Sequence, residues 1–285
     1  MRNTLRLSML QMTSHTSHAV NIVTVQEASA QAAHDGADLL ALPEAAGLLN
    51  LDRETAVRDV TNAARDPFIA ACQEAARAHG IWIQMGSTPV TGPGDKFLNH
   101  GVLIDPEGQI VAEYDKIHLF DVHLEGKPPT GESRRYAAGE TGVVVDTPWG
   151  PWGLSICYDL RFPGLYRDYA QAGATVVFVP SAFTVRTGRA HWEVLLRARA
   201  IENGAWVVAA AQVGKHADGR RTYGHSLVIS PWGEVVADMG GEAPGQVTVD
   251  LDMGAVAKAR GQIPSLENGR PYRMQRIGTK SLTPG

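Results

Sequence analysis

The chain of 285 residues has the length of one or two globular domains. Hydrophobic residues make up 44% and charged residues 20%, a composition that excludes disorder, collagen and coiled coil. The formal net charge of -4 argues against a phosphate backbone as partner, so no nucleic acid is expected. With two cysteines, no stretch near about 18 apolar residues and no apolar signal core at the start, we expect a cytoplasmic protein and no membrane partner.

Short apolar runs alternate with helical stretches along the chain, which is typical of an α/β fold. We predict strands at 5–12, 39–42, 81–85, 101–104, 143–145, 153–156, 176–179, 206–211, 226–229 and 246–251. We predict helices at 19–34, 67–79, 165–172 and 190–202, and antiparallel hairpins at 102–114 and 227–238. No linker or repeat divides the sequence, so we expect a single domain over 1–285 that ends in a C-terminal tail at 273–285.

Cys157 follows an apolar strand and precedes a turn, which places it at the carboxyl end of that strand. Ligands bind at this edge of open α/β sheets, and a following helix start offers N–H groups that favour a thiolate and an oxyanion. The alternative is a small buried hydrophobic residue, because free cysteine is often buried. Cys72 lies inside a helical pattern and is predicted to belong to the core.

Two charged residues also follow predicted strands. Glu44 ends a nearly continuous apolar run and can act as a general base, whereas Lys116 follows a second strand and can donate to a developing oxyanion. For each, the alternative is a charge that faces water. Three chemically suited residues at three strand ends favour an active site.

Other catalytic templates fit less well. The sequence has no P-loop, no Gly-x-Gly-x-x-Gly after a strand, no His-Glu-x-x-His and no Gly-x-Ser-x-Gly. A Cys–His pair remains open, with His118, His191 and His225 in the most patterned surroundings. His118 and His123 lack a third ligand in a regular pattern, so we expect no metal site.

Several motifs in a fixed order resemble the nitrilase superfamily of carbon-nitrogen hydrolases, in its branch of small amidases. The resemblance extends from the first strand to about Tyr272. The motifs in chain order are Leu-Pro-Glu44, Tyr-Asp-Lys116-Ile-His-Leu-Phe-Asp, Gly131-Glu132-Ser133, Gly153-Leu-Ser-Ile-Cys157-Tyr-Asp-Leu-Arg-Phe-Pro, Pro180-Ser-Ala-Phe-Thr, Thr187-Gly-Arg-Ala-His-Trp-Glu, Arg197-Ala-Arg-Ala-Ile-Glu-Asn203, Tyr223-Gly-His-Ser226 and Pro231-Trp-Gly-Glu.

The resemblance implies a four-layer αββα sandwich that assembles as a homodimer or larger homo-oligomer through sheet-extending contacts. It implies a catalytic triad of Glu44, Lys116 and Cys157, with Glu132 as a second glutamate, and no metal or organic cofactor. In the implied chemistry, Cys157 attacks an amide carbonyl, and Lys116 with the backbone N–H of Tyr158 holds the oxyanion.

The implied activity is hydrolysis of the terminal amide of a small carboxylic acid through a thioester, with release of ammonia. Within the branch, the motifs lean toward deaminated glutathione amidases over ω-amidases. Nitrilase or N-carbamoyl amidase activity is the alternative within the fold, and a non-catalytic oligomeric scaffold is the alternative outside enzymology.

Residues after the strand at 176–179 are candidates for substrate contact. Phe183 and Thr184 are expected to line the pocket, and Arg186 either binds a substrate carboxylate or is a solvated loop residue. We expect an ion pair between Asp159 and Arg161 to support the turn after the nucleophile. The segment 125–135, which carries Glu132, is expected to be a mobile or partner-ordered cover.

Overall fold

The computed structural model describes residues 2–123 and 130–277. The strands are β1 (Thr4–Gln11), β2 (Leu39–Ala41), β3 (Trp82–Gln84), β4 (Thr88–Thr91), β5 (Phe97–Ile104), β6 (Ile110–Asp115), β7 (Asp121–Val122), β8 (Thr130–Gly131), β9 (Val143–Val145), β10 (Trp152–Leu154), β11 (Val176–Phe178), β12 (Trp206–Ala209), β13 (Val213–Lys215), β14 (Arg221–Tyr223), β15 (Leu227–Ile229), β16 (Val235–Asp238) and β17 (Gly245–Asp252). The α-helices are α1 (His18–His34), α2 (Arg53–Asp59), α3 (Pro67–His79), α4 (Pro163–Gln171), α5 (Val185–Asn203) and α6 (Gly254–Gln262), and a 3-10 helix spans Cys157–Arg161.

Two mixed sheets carry the fold. The first has the order β17-β1-β2-β3-β5-β4, with β6 also paired to β5, and the second has the order β16-β15-β12-β11-β10-β9. The last strand of the first sheet, β17, runs antiparallel to β1, with Leu7 opposite Val249. The short strands β13 and β14 form a separate antiparallel hairpin.

The outer face of the first sheet is covered by α1 and α3. Val25 of α1 and Phe68 and Cys72 of α3 belong to one buried cluster with Leu40 of β2 and Ile83 of β3. Side chains alternate between the two faces of a strand, so the neighbours of these strand residues point the other way. The predicted core position of Cys72 is confirmed, since this side chain is fully buried.

The inner faces of the two sheets pack on each other. Leu7 and Leu39 of the first sheet share a buried cluster with Trp152 and Phe178 of the second. Helices α4 and α5 close the far side of the second sheet, where α5 contacts β12. The layers therefore follow the order αββα, and the predicted four-layer sandwich is confirmed.

Some elements differ from the sequence prediction. The helices α2 and α6 were not predicted because each buries few residues, only Ala56 in α2, so apolar periodicity is weak. Strand β5 begins at Phe97, four residues before the predicted start, because Asn99 and His100 interrupt its apolar run. The hairpin of β13 and β14 also lacks a strong strand pattern.

The single domain over 1–285 stays a prediction. Residues 278–285 of the predicted tail lie outside the described residues, and 273–277 contain no helix or strand. Among the helices of the described ranges, none combines the length and apolar character needed to cross a membrane.

The topology brings several chain segments to one edge. Strands β2 and β3 are parallel, and β6 is parallel to them because both β3 and β6 run antiparallel to β5. Glu44 and Lys116, which follow β2 and β6, therefore lie at the same edge of the first sheet. In the second sheet, β10 and β11 are parallel, so Cys157 and Ala182 follow strands that end together.

Candidate active site

A lysine and two glutamates form the buried centre of the site. Lys116 Nζ donates to Glu44 Oε1 at 2.9 Å and to both carboxylate oxygens of Glu132, at 3.0 and 2.9 Å. The Lys116 side chain is only 2% exposed. The ammonium is thereby paired and hydrogen-bonded on two sides, which offsets the cost of burying its charge.

Three hydrogen-bond donors hold the Glu44 carboxylate. Asn99 Nδ2 donates to Oε1 at 2.9 Å, beside the bond from Lys116, and the backbone N–H of Ala182 donates to Oε2 at 2.9 Å. The Cys157 thiol lies beside this carboxylate, whose negative charge raises the pKa of the thiol. Glu44 therefore connects Lys116 of the first sheet with Cys157 of the second.

Cys157 adopts a left-handed backbone conformation with φ of 51°. Its N–H donates to the carbonyl of Pro180 at 2.9 Å, which fixes the turn after β10 to the segment after β11. A non-glycine residue in this region costs about 1–2 kcal/mol. Such strain is found where surrounding structure enforces it, often at active sites.

Burial and charge both act on the thiol. Burial raises the pKa of Cys157 well above its usual value, the negative charge of Glu44 raises it further, and Lys116 offsets only part of this effect. Burial opposes the charge on Lys116, yet Glu132 and Glu44 outweigh it and hold the pKa of the ammonium well above its usual value. The resting site therefore contains a neutral thiol beside a charged lysine.

Asp159 organises the turn that carries Cys157. One carboxylate oxygen accepts from the Ile156 N–H at 2.8 Å and from the Tyr114 hydroxyl at 2.7 Å. The other accepts from the N–H and the Nδ1 of His118, at 2.9 and 2.7 Å. Asp159 thus ties the segment of the nucleophile to the strand and turn that carry Lys116.

The expected ion pair between Asp159 and Arg161 is wrong. Asp159 is fully buried and uses both oxygens on the neighbours just described. The guanidinium of Arg161 lies instead over the rings of Tyr158 and Phe183, at 5.8 and 5.5 Å from their centroids. A buried acid that already accepts four hydrogen bonds has little capacity left for the arginine.

These residues open into a cavity of about 900 Å³. Phe183, Thr184 and Arg186 all line it, as does Tyr158. Tyr158 follows Cys157 in the first turn of the 3-10 helix, so its N–H belongs to the group that has no partner within the helix. The cavity is lined in full by Glu44, Ala45, Leu51, Pro89, Asn99, Lys116, Phe120, Gly131, Glu132, Arg135, Tyr136, Cys157, Tyr158, Ala182, Phe183, Thr184, Val185, Arg186, Thr187, Gly219, Arg220 and Arg221.

Two sequence-based alternatives can be compared with this geometry. Each histidine proposed for a Cys–His pair has another partner: His118 is hydrogen-bonded to Asp159, His191 to Arg161 and His225 to Asp238, whereas the thiol of Cys157 lies beside Glu44. The predicted cover at 125–135 cannot be assessed over 125–129, which lie outside the described residues. Glu132, from the same segment, lies within the described part and contacts Lys116.

Sequence reasoning missed several residues of the site. Asn99 was overlooked because β5 was predicted to begin after it, although a polar pair within a strand pattern was a usable signal. Three arginines at the cavity, Arg135, Arg220 and Arg221, come from segments for which no strand or helix was predicted. Only the folded chain brings them to the same cavity as Cys157.

Comparison with known proteins agrees with the geometry. The family model described as carbon-nitrogen hydrolase matches residues 6–261. A deaminated glutathione amidase of Synechocystis sp. (strain PCC 6803 / GT-S) is 40% identical over 268 residues, which cover 91% of this chain and 96% of that protein.

Two solved structures share the fold. The crystal structure of the C. elegans NitFhit protein has a TM-score of 0.87 and 37% identity, and the match covers 94% of this chain and 65% of that one. This chain thus spans about two thirds of NitFhit. A mutant amidase from Nesterenkonia sp. AN1, with the acetamide moiety of fluoroacetamide added covalently at its active site cysteine, has a TM-score of 0.78 and 28% identity, and the match covers 95% of each chain. Since the family model matches well over half of the sequence, the chain belongs to the carbon-nitrogen hydrolase family.

Proposed function

We propose that the protein is a cysteine amidase in which Cys157 is the nucleophile, Glu44 the general base and Lys116 the oxyanion donor. One observation carries this proposal: the buried Glu44 carboxylate contacts both the Cys157 thiol and the Lys116 ammonium at the cavity wall. A base beside a nucleophile and a cation beside the reacting carbonyl are the groups that acyl transfer requires.

In the first half-reaction, Glu44 takes the thiol proton while the sulfur of Cys157 bonds to the amide carbon. The carbonyl oxygen becomes an oxyanion, which Lys116 and the backbone N–H of Tyr158 stabilise. Protonated Glu44 then gives its proton to the amide nitrogen, the carbon–nitrogen bond breaks, and the amine leaves, as ammonia where the amide is primary. A thioester to Cys157 remains.

In the second half-reaction, Glu44 takes a proton from a water molecule that attacks the thioester carbon. The carbon–sulfur bond breaks, the thiol regains a proton, and the carboxylic acid product leaves. Glu132 keeps Lys116 in place throughout, since it receives two of the hydrogen bonds from Nζ. The net reaction consumes one amide and one water and yields one acid and one amine, which is ammonia where the amide is primary.

We infer that the substrate is the amide of a small carboxylic acid, most similar to deaminated glutathione, in which the amide nitrogen belongs to a cysteinylglycine dipeptide. The 40% identity to a protein of that name supports this choice, as does the number of arginines at the cavity. Arg186 and Phe183 are proposed as substrate contacts, the first for a carboxylate and the second for an apolar part. Thr184 caps α5 and accepts from the Thr187 N–H, so its proposed role is to shape the pocket wall.

The test measures product release by the wild type and Cys157→Ala: cysteinylglycine from deaminated glutathione, and ammonia from α-ketoglutaramate, simple nitriles and N-carbamoyl amino acids. We expect release from an amide by the wild type and none by the variant. Preferred turnover of nitriles or carbamoyl compounds would replace the amidase proposal with one of those activities. Silence across the panel would favour a scaffold.

We further propose that the protein forms a homodimer and acts in the cytoplasm. Strand β16 lies at the edge of the second sheet and can extend it, and the adjoining surface exposes Val194 (69%), Ile201 (52%) and Trp232 (52%). We call these three residues and Val235 the α5–β16 patch. A reducing compartment suits a mechanism that needs the free thiol of Cys157.

A further inference from the structure

The two oxygens of the Glu44 carboxylate have different surroundings. Oε1 accepts hydrogen bonds from Lys116 Nζ and from Asn99 Nδ2, each at 2.9 Å, whereas Oε2 accepts from the Ala182 N–H at 2.9 Å. Each oxygen of an ionised carboxylate has two acceptor sites. The two donors therefore fill the acceptor sites of Oε1, whereas the hydrogen bonds among the described residues leave one site of Oε2 open.

The Cys157 thiol lies on the Oε2 side of the carboxylate. The Ala182 N–H, which donates to Oε2, also lowers the pKa of the Cys157 thiol, so both groups lie next to this N–H. The N–H of Cys157 donates to the carbonyl of Pro180, two residues before Ala182, at 2.9 Å. Oε2 is thus the oxygen that combines an open acceptor site with the sulfur as a neighbour.

Asn99 and Lys116 reach the same carboxylate oxygen because they face each other on neighbouring strands. In the antiparallel register of β5 and β6, His100 lies opposite Asp115, so the next pair along the strands is Asn99 and Lys116. The Lys116 N–H donates to the Asn99 carbonyl at 3.0 Å, which continues the pairing beyond β6. Residues that are directly opposite in such a pair present their side chains on the same face of the sheet. Strand pairing therefore brings an amide and an ammonium together at Oε1.

The Asn99 amide differs from the Lys116 ammonium in its charge. Asn99 is only 8% exposed, so its hydrogen bond to the carboxylate is largely shielded from bulk water. A second cation at this position would favour the ionised form of Glu44 and so weaken it as a base. The amide donates a hydrogen bond without a net charge, so it orients the carboxylate and leaves its basicity to Lys116.

We propose that Asn99 is a positioning residue for the catalytic base. It holds Oε1 of Glu44 beside Lys116 and thereby reserves Oε2 for proton transfer, first with the Cys157 thiol and then with water. The inference rests on the proposed amidase function and adds a residue that acts through Glu44. Without the amide, the carboxylate can turn about its terminal bond, and Lys116 alone does not keep Oε2 directed at the sulfur.

The test compares the pH dependence of kcat/KM in Asn99→Ala and Asn99→Asp with that of the wild type, on an amide that the wild type hydrolyses. We expect Asn99→Ala to lower kcat/KM roughly 10- to 100-fold near pH 7, because a hydrogen bond to a charged group is lost. An ionised carboxylate that loses a donor is easier to protonate. The deficit of Asn99→Ala should therefore grow as the pH falls.

Asn99→Asp should respond to pH in the opposite direction. The new side chain has nearly the shape of asparagine, but when ionised it cannot donate a hydrogen bond and it repels Glu44. When protonated, it donates to Oε1 as the amide does. We therefore expect the ratio of kcat/KM in Asn99→Asp to that of the wild type to rise severalfold from about pH 8 to about pH 5, because two adjacent carboxyl groups retain one proton in this range.

Asn203 provides the matched control. It is 3% exposed, its amide donates to the Arg199 carbonyl at 2.9 Å, and it is not among the residues that line the cavity. Asn203→Ala and Asn203→Asp can lower the free energy of unfolding, but both should keep the pH profile of the wild type. Circular dichroism at each pH identifies the variants that are folded. If Asn99→Ala does not fold, the direction of the pH response in Asn99→Asp decides.

The outcomes separate the two proposals. If the wild type hydrolyses no amide, the amidase proposal fails, and the role of Asn99 fails with it. If the wild type is active but the Asn99 variants keep its pH profile, Asn99 does not position the base. A change in KM alone would also overturn the proposal, because Asn99 would then act on the substrate and not through Glu44. Equal pH responses in the Asn203 variants would contradict it as well, since loss of any buried asparagine would then have the same effect.

Discussion

Glu44 is the residue on which the hydrogen bonds of the site converge. It accepts hydrogen bonds from Lys116, Asn99 and the Ala182 N–H, and it lies beside the thiol of Cys157. The position of the base is therefore fixed before a substrate arrives, which lowers the cost of reaching the transition state.

We expect Glu44→Gln to reduce kcat roughly 10²- to 10⁴-fold, because an amide cannot accept the thiol proton. Glutamine keeps the shape of the side chain, so circular dichroism should remain that of the wild type. Glu140→Gln is the control, since Glu140 is exposed and lies outside the cavity lining. Wild-type rates of ammonia release in Glu44→Gln would exclude this residue as the base.

The two cysteines should differ in alkylation. Cys157 lines the cavity and Cys72 is fully buried in the core, so iodoacetamide should modify Cys157 first. The rate should rise with pH above the usual range for thiols, because the pKa of Cys157 is raised by burial and by Glu44. Peptide mass spectrometry of the wild type and Cys157→Ala measures both sites.

Alkylation of Cys157 and amide hydrolysis should change in opposite directions in Glu44→Gln. The negative charge of Glu44 raises the pKa of Cys157, so its removal in Glu44→Gln should lower that pKa and speed alkylation at neutral pH. Amide hydrolysis should fall in the same variant. If alkylation instead slowed together with hydrolysis, Glu44 would not act on the thiol through its charge.

The residue types of the site were predictable and their contacts were not. Glu44, Lys116 and Cys157 follow predicted strands, so their common edge follows from the α/β pattern. Glu132 was assigned only through the family resemblance, because no strand or helix was predicted around it. The bonds of Asp159 to Tyr114 and His118 join segments about 40 residues apart, and no local pattern specifies such pairs.

At the scale of the elements, β2 must end where Glu44 can reach the site. Gly86, after β3, adopts φ of 72°, and a Cβ at this position would lie 1.9 Å from the carbonyl oxygen of Pro43. The absence of a side chain at Gly86 therefore lets the two chain segments approach each other. This close approach fixes the position of Pro43, the residue that precedes Glu44.

We expect Gly86→Ala to lower the free energy of unfolding by more than about 3 kcal/mol and to reduce activity, because the new methyl group displaces Pro43. Gly80→Ala is the matched control. Gly80 has φ of 65° and open space around it, so only the backbone penalty of about 1–2 kcal/mol applies. Chemical denaturation measures both, and equal losses would show that the contact with Pro43 is unimportant.

Elements that lack an apolar face were the ones that the sequence did not reveal. Helix α2 is stabilised by its cap, where Asp52 accepts from the Glu54 and Thr55 N–H groups, more than by burial. The start of α5 was placed five residues late, because the cap at Thr184 lies before the apolar periodicity begins. Helices α1 and α3, which each bury at least five side chains, were located almost to the residue.

At the scale of the whole molecule, Lys116 links stability to pH. The pKa of Lys116 is raised above its ordinary value of 10.5 in the folded protein. Its contribution to stability is therefore fully present below pH 10.5 and is lost as pH rises through the higher folded-state pKa. The ion pairs of Lys116 therefore stabilise the folded protein across the whole physiological pH range.

We expect Lys116→Met to lower the free energy of unfolding by about 3–5 kcal/mol near pH 7, since two buried carboxylates lose their partner. The difference from the wild type should stay constant up to about pH 10 and shrink above pH 10.5. Denaturant titrations of both proteins at pH 7, 9 and 11 measure it. Lys215→Met, at an exposed lysine, is the control, and an equal deficit there would contradict the assignment.

Assembly can be tested on the α5–β16 patch. Ile201→Asp should convert a dimer into a monomer in light scattering after size-exclusion chromatography, because a charge would be buried at the interface. Val23→Asp is the control, since Val23 is equally exposed, at 52%, on α1. A wild type that is monomeric at all concentrations would rule out the proposed dimer.

The pairing of β17 with β1 has a consequence for biosynthesis. Thr4 lies opposite Asp252, so the first sheet is complete only after residue 252 has left the ribosome. Until then β1 presents an unpaired backbone edge, which is a template for aggregation. Contacts between such distant residues also slow folding. We therefore expect nascent chains that stop before β17 to depend on chaperones.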